Sequence, residues 1–349
     1  MAVPFFKPGE TAPWAVIPGN PSLNNAFFAE CEETISRIAA LSDPGKIRYL
    51  HISDIHIGAN IGGSLVQCLS ALVHMAENIG ADFILGTGDI ITGATGDAEV
   101  QKAALLNFRE FFKDCPIPVI ISRGNHDDNS IAGLSEENIV GNNWWNFFMG
   151  TGLNAAARNI ITPAGGNGYF YMDIPTKKLR VVNINCSDLN DEERLSKGGQ
   201  NWLKLSQKQL DWLSNTAFSV DEGWKIICSC HMVPVAALAV GSSITNKDAL
   251  YSVLKDHAEK IIAFNAGHTH VSCNWVDENG IRFITANTCG GSVISAAERA
   301  GGYGISSVSK EAREAAPTGA MLFDICIVNE DNTVSRIRWG VEDDVFRDE

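Results

Sequence analysis

Short runs rich in isoleucine, valine and leucine recur through the chain, and most of them end in the same kind of polar block. Ile47–Ser53 runs into Asp54-Ile55-His56, and Asp82–Thr87 into Gly88-Asp89. Ile117–Ser122 leads through Arg123 into Gly124-Asn125-His126-Asp127, Lys225–Cys230 into His231, and Ile261–Ala266 into Gly267-His268-Thr269-His270. Brief apolar runs closed by polar breaks read as strands buried on both faces, the pattern of parallel strands in an α/β sheet. Helical patterns lie between them. Ser64-Leu65-Val66-Gln67 reads as a capping box ahead of Leu65, Leu69, Leu72, Ala76 and Ile79. Asp97 reads as an N-cap ahead of Val100, Ala104, Phe108 and Phe111. Ser206-Gln207-Lys208-Gln209 is a second box, ahead of Leu210, Leu213 and Ala217. Strands alternating with helices confine the chain to an α/β fold whose strand ends gather at one crevice, where ligands bind.

Leu179–Cys186 is a further strand of the same type. After Gly267 the pattern changes. Val271–Val276, Ile281–Ala286, Met321–Val328 and Val334–Gly340 read as consecutive strands, with Asp277-Glu278-Asn279-Gly280 as a hairpin turn. At the other end, residues 1–23 hold five of the twelve prolines and are expected to form an extended arm. Asn24–Leu41 follows as an amphipathic helix carrying Phe27, Phe28, Cys31, Ile35 and Ile38. The expected organisation is therefore an arm and helix over 1–46 and one large domain over 47–349. Asp128–Gly168, with Trp144, Trp145, Phe147 and Phe148, and Gly290–Gly319 are long irregular stretches and candidates for lids or specificity loops. For the tryptophan pair, burial against the sheet is the competing reading.

Composition narrows the classes of partner. With 27 basic and 41 acidic residues the formal charge is −14, which argues against long-range capture of nucleic acid or an anionic membrane. Nine cysteines, several inside predicted strands, behave as small buried hydrophobes and imply no disulfide framework. A reducing, cytoplasmic compartment is expected. The N-terminal Met-Ala-Val-Pro-Phe-Phe-Lys lacks the pattern of a secretory signal. The longest apolar stretch, Ile226–Val240, is interrupted by His231 and Pro234 and is too short to span a bilayer, so a soluble protein is expected.

Five of the eight histidines fall in the strand-end blocks. Imidazoles, carboxylates and an amide oxygen brought to one cleft suit divalent Mn, Fe, Zn or Mg. Asp54 and His56, two apart at a strand end, can turn toward one ion. Asp89 follows Gly88, which allows close backbone approach, and is the natural bridge between two ions. Asn125 offers an amide oxygen, and His231, His268 and His270 offer imidazoles. Two ions so held can activate a shared water for displacement at phosphorus. His51, inside the first strand, reads as a buried hydrogen-bonded residue, and His74 and His257 as solvated ones.

This set of blocks resembles the calcineurin-like metallophosphoesterase superfamily over about residues 47 to 290. The resemblance implies a four-layer α/β/β/α sandwich with the site at the strand ends. It implies that Asp54, His56, Asp89 and His270 hold one ion, and that Asp89, Asn125, His231 and His268 hold the other. It makes His126 the histidine beside the scissile phosphate. Protein serine/threonine phosphatases of the superfamily carry an Asp and an Arg shortly after the bridging Asp, and Asp89-Ile90-Ile91-Thr92-Gly93 has neither. The blocks are closer to those of the cyclic-nucleotide phosphodiesterase and repair-nuclease branches. Asp127 either orients His126 or caps a turn. Arg123 either meets a substrate phosphate or closes a salt bridge. A small phosphorylated substrate is favoured, with a nuclease of the same chemistry as the alternative. A third reading makes residues 1–46 an oligomer contact or a tether to a larger assembly such as a phage particle.

Overall fold

The computed structural model describes residues 23, 25–41, 45–57, 63–94, 97–130, scattered positions between 133 and 163, 167–188, 191–197, 202–235, 244–289 and 321–340. Two sheets lie face to face. The first takes strands β1 (Ile47–Ile52), β2 (Phe83–Gly86), β3 (Val119–Ile121), β11 (Leu322–Val328) and β12 (Val334–Gly340), in the order β12-β11-β1-β2-β3. The second takes β4 (Ile160–Ile161), β5 (Phe170–Ile174), β6 (Leu179–Asn183), β7 (Lys225–Ser229), β8 (Ile261–Ala266), β9 (Cys273–Val276) and β10 (Arg282–Thr285), in the order β4-β5-β6-β7-β8-β10-β9. Helices α1 (Asn25–Leu41), α2 (Gly63–Asn78) and α3 (Ala98–Phe112) share one hydrophobic cluster with the first sheet. The helical segments α5 (Gln207–Trp212) and α6 (Lys247–Lys255) share another with the second; α4 (Asp191–Lys197) precedes them.

Period-two alternation explains why the strands read as continuous apolar runs. On β7, Ile227 faces the inter-sheet core while Ile226 and Cys228 face the outer helices. On β6, Val181 points inward and Val182 outward. A strand buried on both faces needs apolar residues at every position. β1, β2 and β3 pair in parallel, as do β6, β7, β8 and β10, so their C-terminal ends lie on one side of the molecule.

Two features go beyond the sequence reading. The four late strands divide between the two sheets. β9 and β10 close the second sheet as an antiparallel pair, whereas β11 joins the first sheet antiparallel to β1 and carries β12 outside it. The sequence reading also lacks β5, which pairs antiparallel with β6 and places Phe170 and Met172 in the inter-sheet core.

Local signals fare better. The Asp97 side chain accepts from the Glu99 N–H at 2.9 Å and caps α3. Ser206 Oγ accepts from the Gln209 N–H at 3.1 Å. Gln209, however, does not reach back to complete the box. Its amide turns inward to the backbone of Asn185 and to the Asp188 carboxylate, which itself accepts from the Ser206 N–H at 3.3 Å. α2 begins at Gly63, so Ser64 lies in the first turn rather than before it. α1 packs on the first sheet, with Phe27 against Trp339 at 5.6 Å and Glu30 accepting from the Gly340 N–H. Trp145 and Phe148 are buried against each other. Residues 1–22, Trp144, Phe147 and 290–319 lie outside the described residues. All nine cysteines are free and buried, and Cys228 and Cys230 sit in the outer cluster. Among the described residues no helix is long and apolar enough to cross a membrane.

Candidate metal centre

The ends of β1, β2, β3, β7 and β8 deliver the polar blocks to one place. Pairing of the first two blocks continues past the strands: the Asp54 N–H donates to Gly88 O and the His56 N–H to Asp89 O, both at 3.0 Å. The Gly267 N–H donates to His231 O at 2.9 Å, locking the last two blocks together. Side chains from five separated positions thereby converge.

Their metal-binding atoms fall into two overlapping clusters. In the first, His270 Nε2 lies 3.2 Å from Asp54 Oδ1 and 3.2 Å from His56 Nε2. His56 Nε2 lies 3.9 Å from both Asp54 Oδ1 and Asp89 Oδ2. In the second, His231 Nε2 lies 3.3 Å from Asp89 Oδ2 and 2.8 Å from Asn125 Oδ1, and His268 Nδ1 lies 3.0 Å from Asn125 Oδ1. Asp89 Oδ2 links them, grouping with His56 and His126 on one side and with His231 and His268 on the other. Ligand atoms bound at about 2.1 Å stand about 3.0–3.4 Å apart around one ion, so these separations suit a divalent cation. His126 Nε2 is 3.7 Å from Asp89 Oδ2 and its side chain is 25 % exposed, against 8 % for His56, so it faces the opening.

The donor chemistry demands positive charge. His231 Nδ1 meets the Thr87 carbonyl at 2.7 Å, so that nitrogen carries a proton, while Nε2 aims at two oxygens that only accept. Such an imidazole needs either a second proton or a cation at Nε2. Without a cation, the His231 pKa is pushed up to about 10: burial opposes the charge, but the Asp89 carboxylate outweighs it. The same pairing holds Asp89 well below the usual carboxylate range despite its burial. Asp54 is likewise held low, burial being overcome by His270 and His231. Burial holds His56 and His268 down at about 4, neutral as metal ligands must be. The residues fit a pair of divalent ions.

The backbone is strained where it presents these ligands. Among the described residues eight non-glycine positions have positive φ, and five are Asp54, His56, Asp89, His268 and His270, at 50° to 66°. Left-handed backbone costs about 1–2 kcal/mol per residue outside glycine, and such strain collects at functional sites. Two glycines allow the close approach. A Cβ on Gly124 would collide with the Asp89 carboxylate and backbone nitrogen, and one on Gly267 with the side chains of Ser53 and Asp54.

Of the two readings of Asp127, the geometry favours the cap. The Asp127 carboxylate accepts from the backbone N–H groups of Asp89, Ile90, Ile91 and Gly124 at 2.7–3.2 Å and does not contact the His126 ring. It clamps the bridging loop to its neighbour. Burial first and Asp89 second raise its pKa to about 6. The carbonyl of Thr92, at 2.8 Å from Nδ1, orients His126 instead. Arg123 is fully buried, its guanidinium 5.7 Å from the centre of the Trp145 ring. Sequence reasoning missed Thr92, Ser53 and Thr87, residues of common type with no spacing signal.

The sequence profile of calcineurin-like phosphoesterases matches residues 47–272. Among solved structures, a dimetal phosphatase from Danio rerio superposes with a TM-score of 0.58 at 17% identity, covering 85% of this chain and 96% of its own. GAP50, the anchor in the inner membrane complex of Plasmodium, gives 0.48 at 12% identity over 86% of this chain and 90% of its own. A 5'-nucleotidase from Candida albicans gives 0.45 at 13% identity over 84% and 50%. No protein of curated function matches significantly in sequence.

Proposed function

Because this chain belongs to the calcineurin-like phosphoesterase family, we propose that it is a dinuclear-metal hydrolase acting on a phosphodiester of a small molecule. The observation that carries the reading is the position of Asp89 Oδ2, shared between two clusters of metal-binding atoms. Asp54, His56, Asp89 and His270 would hold one ion, and Asp89, Asn125, His231 and His268 the other. A set this rich in imidazole favours Mn, Fe or Zn over Mg. Bound there, the ions supply Lewis-acid activation of water and neutralise charge on the phosphoryl group.

The protein's own part is positioning and proton transfer. His126 donates from Nδ1 to the Thr92 carbonyl, which turns Nε2 toward Asp89 and the opening. Once protonated, Nε2 can give its hydrogen to the departing oxygen. The His126 N–H holds Asp89 Oδ1 at 2.8 Å, leaving Oδ2 for the clusters. The −14 charge supports a small substrate over nucleic acid. The absence of an Asp and Arg after Asp89 supports a diester over a phosphoprotein. Nine free, buried cysteines support a reducing compartment.

The test is a screen of metal-reconstituted protein against bis-aryl phosphate, aryl phosphate, cyclic nucleotides and single-stranded DNA. Turnover of small diesters above the others is expected. Asp89→Ala should abolish metal-dependent turnover, and His126→Ala should keep both ions while losing about 10²–10⁴ in rate. Undiminished turnover by Asp89→Ala would refute the reading, and preference for DNA would replace the small diester by a nuclease substrate.

A further inference from the structure

Behind Asp54 runs a file of buried polar groups that the catalytic reading does not use. Ser53 Oγ donates to Asp54 Oδ2 at 2.6 Å, Thr87 Oγ1 donates to Ser53 Oγ at 2.7 Å, and His51 Nε2 lies 3.0 Å from Thr87 Oγ1. All four residues are at most 1 % exposed. They come from two strands paired in register, with His51 opposite Leu85 and Ile52 opposite Gly86, and from the first residues beyond them.

Hydrogen counting fixes the direction of this file. An ionised carboxylate only accepts, so the single Ser53 hydroxyl proton is committed to Asp54. Ser53 Oγ must then accept from Thr87, whose proton is committed in turn. His51 is left as the donor at its head, protonated on Nε2. Among the described residues His51 Nδ1 has no hydrogen-bond partner, which a bare ring nitrogen tolerates and a buried N–H would not. Every hydrogen bond points toward Asp54, an order in which each polarises the next.

The end of the file is selective between the two carboxylate oxygens. The Ser53 hydroxyl goes to Oδ2 alone; the His268 N–H is shared between Oδ2 at 3.0 Å and Oδ1 at 3.2 Å, and Oδ1 faces His270 Nε2 at 3.2 Å. We propose that His51, Thr87 and Ser53 form a positioning relay that fixes Asp54 as a one-oxygen ligand and sets the affinity of the Asp54–His56–His270 cluster for its ion. This rests on the dinuclear reading above. Partners standing behind metal ligands are typically worth about 10–100-fold in metal affinity. The relay acts on one ion of the two, because its last side-chain bond reaches Asp54 and none of its side-chain bonds reaches Asn125 or His231; Thr87 meets His231 through its backbone carbonyl, which Thr87→Val keeps.

Calorimetric titration of metal-free protein with Mn²⁺, alongside melting curves, tests this without any substrate. Wild type should bind two ions. Ser53→Ala and Thr87→Val should weaken one of them by about 10–100-fold and leave the other within about twofold. His51→Phe should weaken the same ion by less, since two hydroxyl bonds remain. Thr87→Ser, which keeps the hydroxyl, should restore wild-type binding. Two unaltered affinities in Thr87→Val, or equal weakening in Thr87→Ser and Thr87→Val, would overturn the relay while leaving the dinuclear site standing. Fewer than two ions bound by wild type would overturn both.

Discussion

Asp324 gives the sharpest test of how the two sheets are held together over the metal centre. It lies fully buried on β11, with its carboxylate between Arg336 and Arg338 of β12. Arg336 also donates to the carbonyls of Cys273 and Thr285 at 2.7 and 3.0 Å, and Arg338 donates to Ser272 Oγ at 2.7 Å. The three charges thus fasten the first sheet to the β9–β10 edge of the second, just beyond the loop carrying His268 and His270. Asp324→Ala would remove the carboxylate that lies between two buried guanidiniums. Removing one member of a buried ion pair costs about 3–5 kcal/mol. With a urea slope of about 3 kcal/mol per molar, the unfolding midpoint should fall by about 1–2 M. The pH dependence has a definite sign. Burial opposes the Asp324 charge, but the two arginines hold its pKa below the usual carboxylate range. Such a group stabilises the fold above its unfolded pKa of about 3.9, and the contribution drains away as pH falls through the lower folded value. The gap between wild type and Asp324→Ala should therefore be full at neutral pH and shrink below about pH 4. A midpoint within about 0.3 M of wild type at pH 7, or a gap that widens in acid, would refute the reasoning.

Three further outcomes follow from the site. Gly124→Ala places a methyl group against Asp89, and since a 1 Å displacement of a catalytic group can cost about 100-fold, kcat/KM should fall at least that far while the protein still folds by circular dichroism. Asp127→Ala strips four buried backbone N–H groups of their acceptor, each loss worth about 1–3 kcal/mol, so both the melting temperature and Mn²⁺ affinity should drop, whereas Asp127→Asn should recover part of both. Finally, the His231 pKa of about 10 means that metal must displace a proton at neutral pH. Affinity should rise about tenfold per pH unit between pH 6 and 8, with proton release visible as a buffer-dependent heat; pH-independent binding would contradict it.

The sequence by itself determined the strand runs and the seven candidate ligands. Strands buried on both faces must be apolar at nearly every position, as Ile226-Ile227-Cys228 is, and metal chemistry admits few side-chain types, so both leave local marks. β5 left a weaker mark, because Tyr171 and Asp173 interrupt its apolar run and its partner follows only after a turn. Tertiary structure alone decided that β11 lies beside β1, that Asp324 meets two arginines, and that Arg123 is buried beside Trp145. It alone decided that Asp127 grips a neighbouring loop and that Ser53, Thr87 and His51 line up behind Asp54. These are contacts between residues remote in the chain, made by side chains common everywhere, and their meaning comes from direction and distance. Periodicity reports which face a residue shows to the core; what waits for it on the other side is settled only when the sheets close.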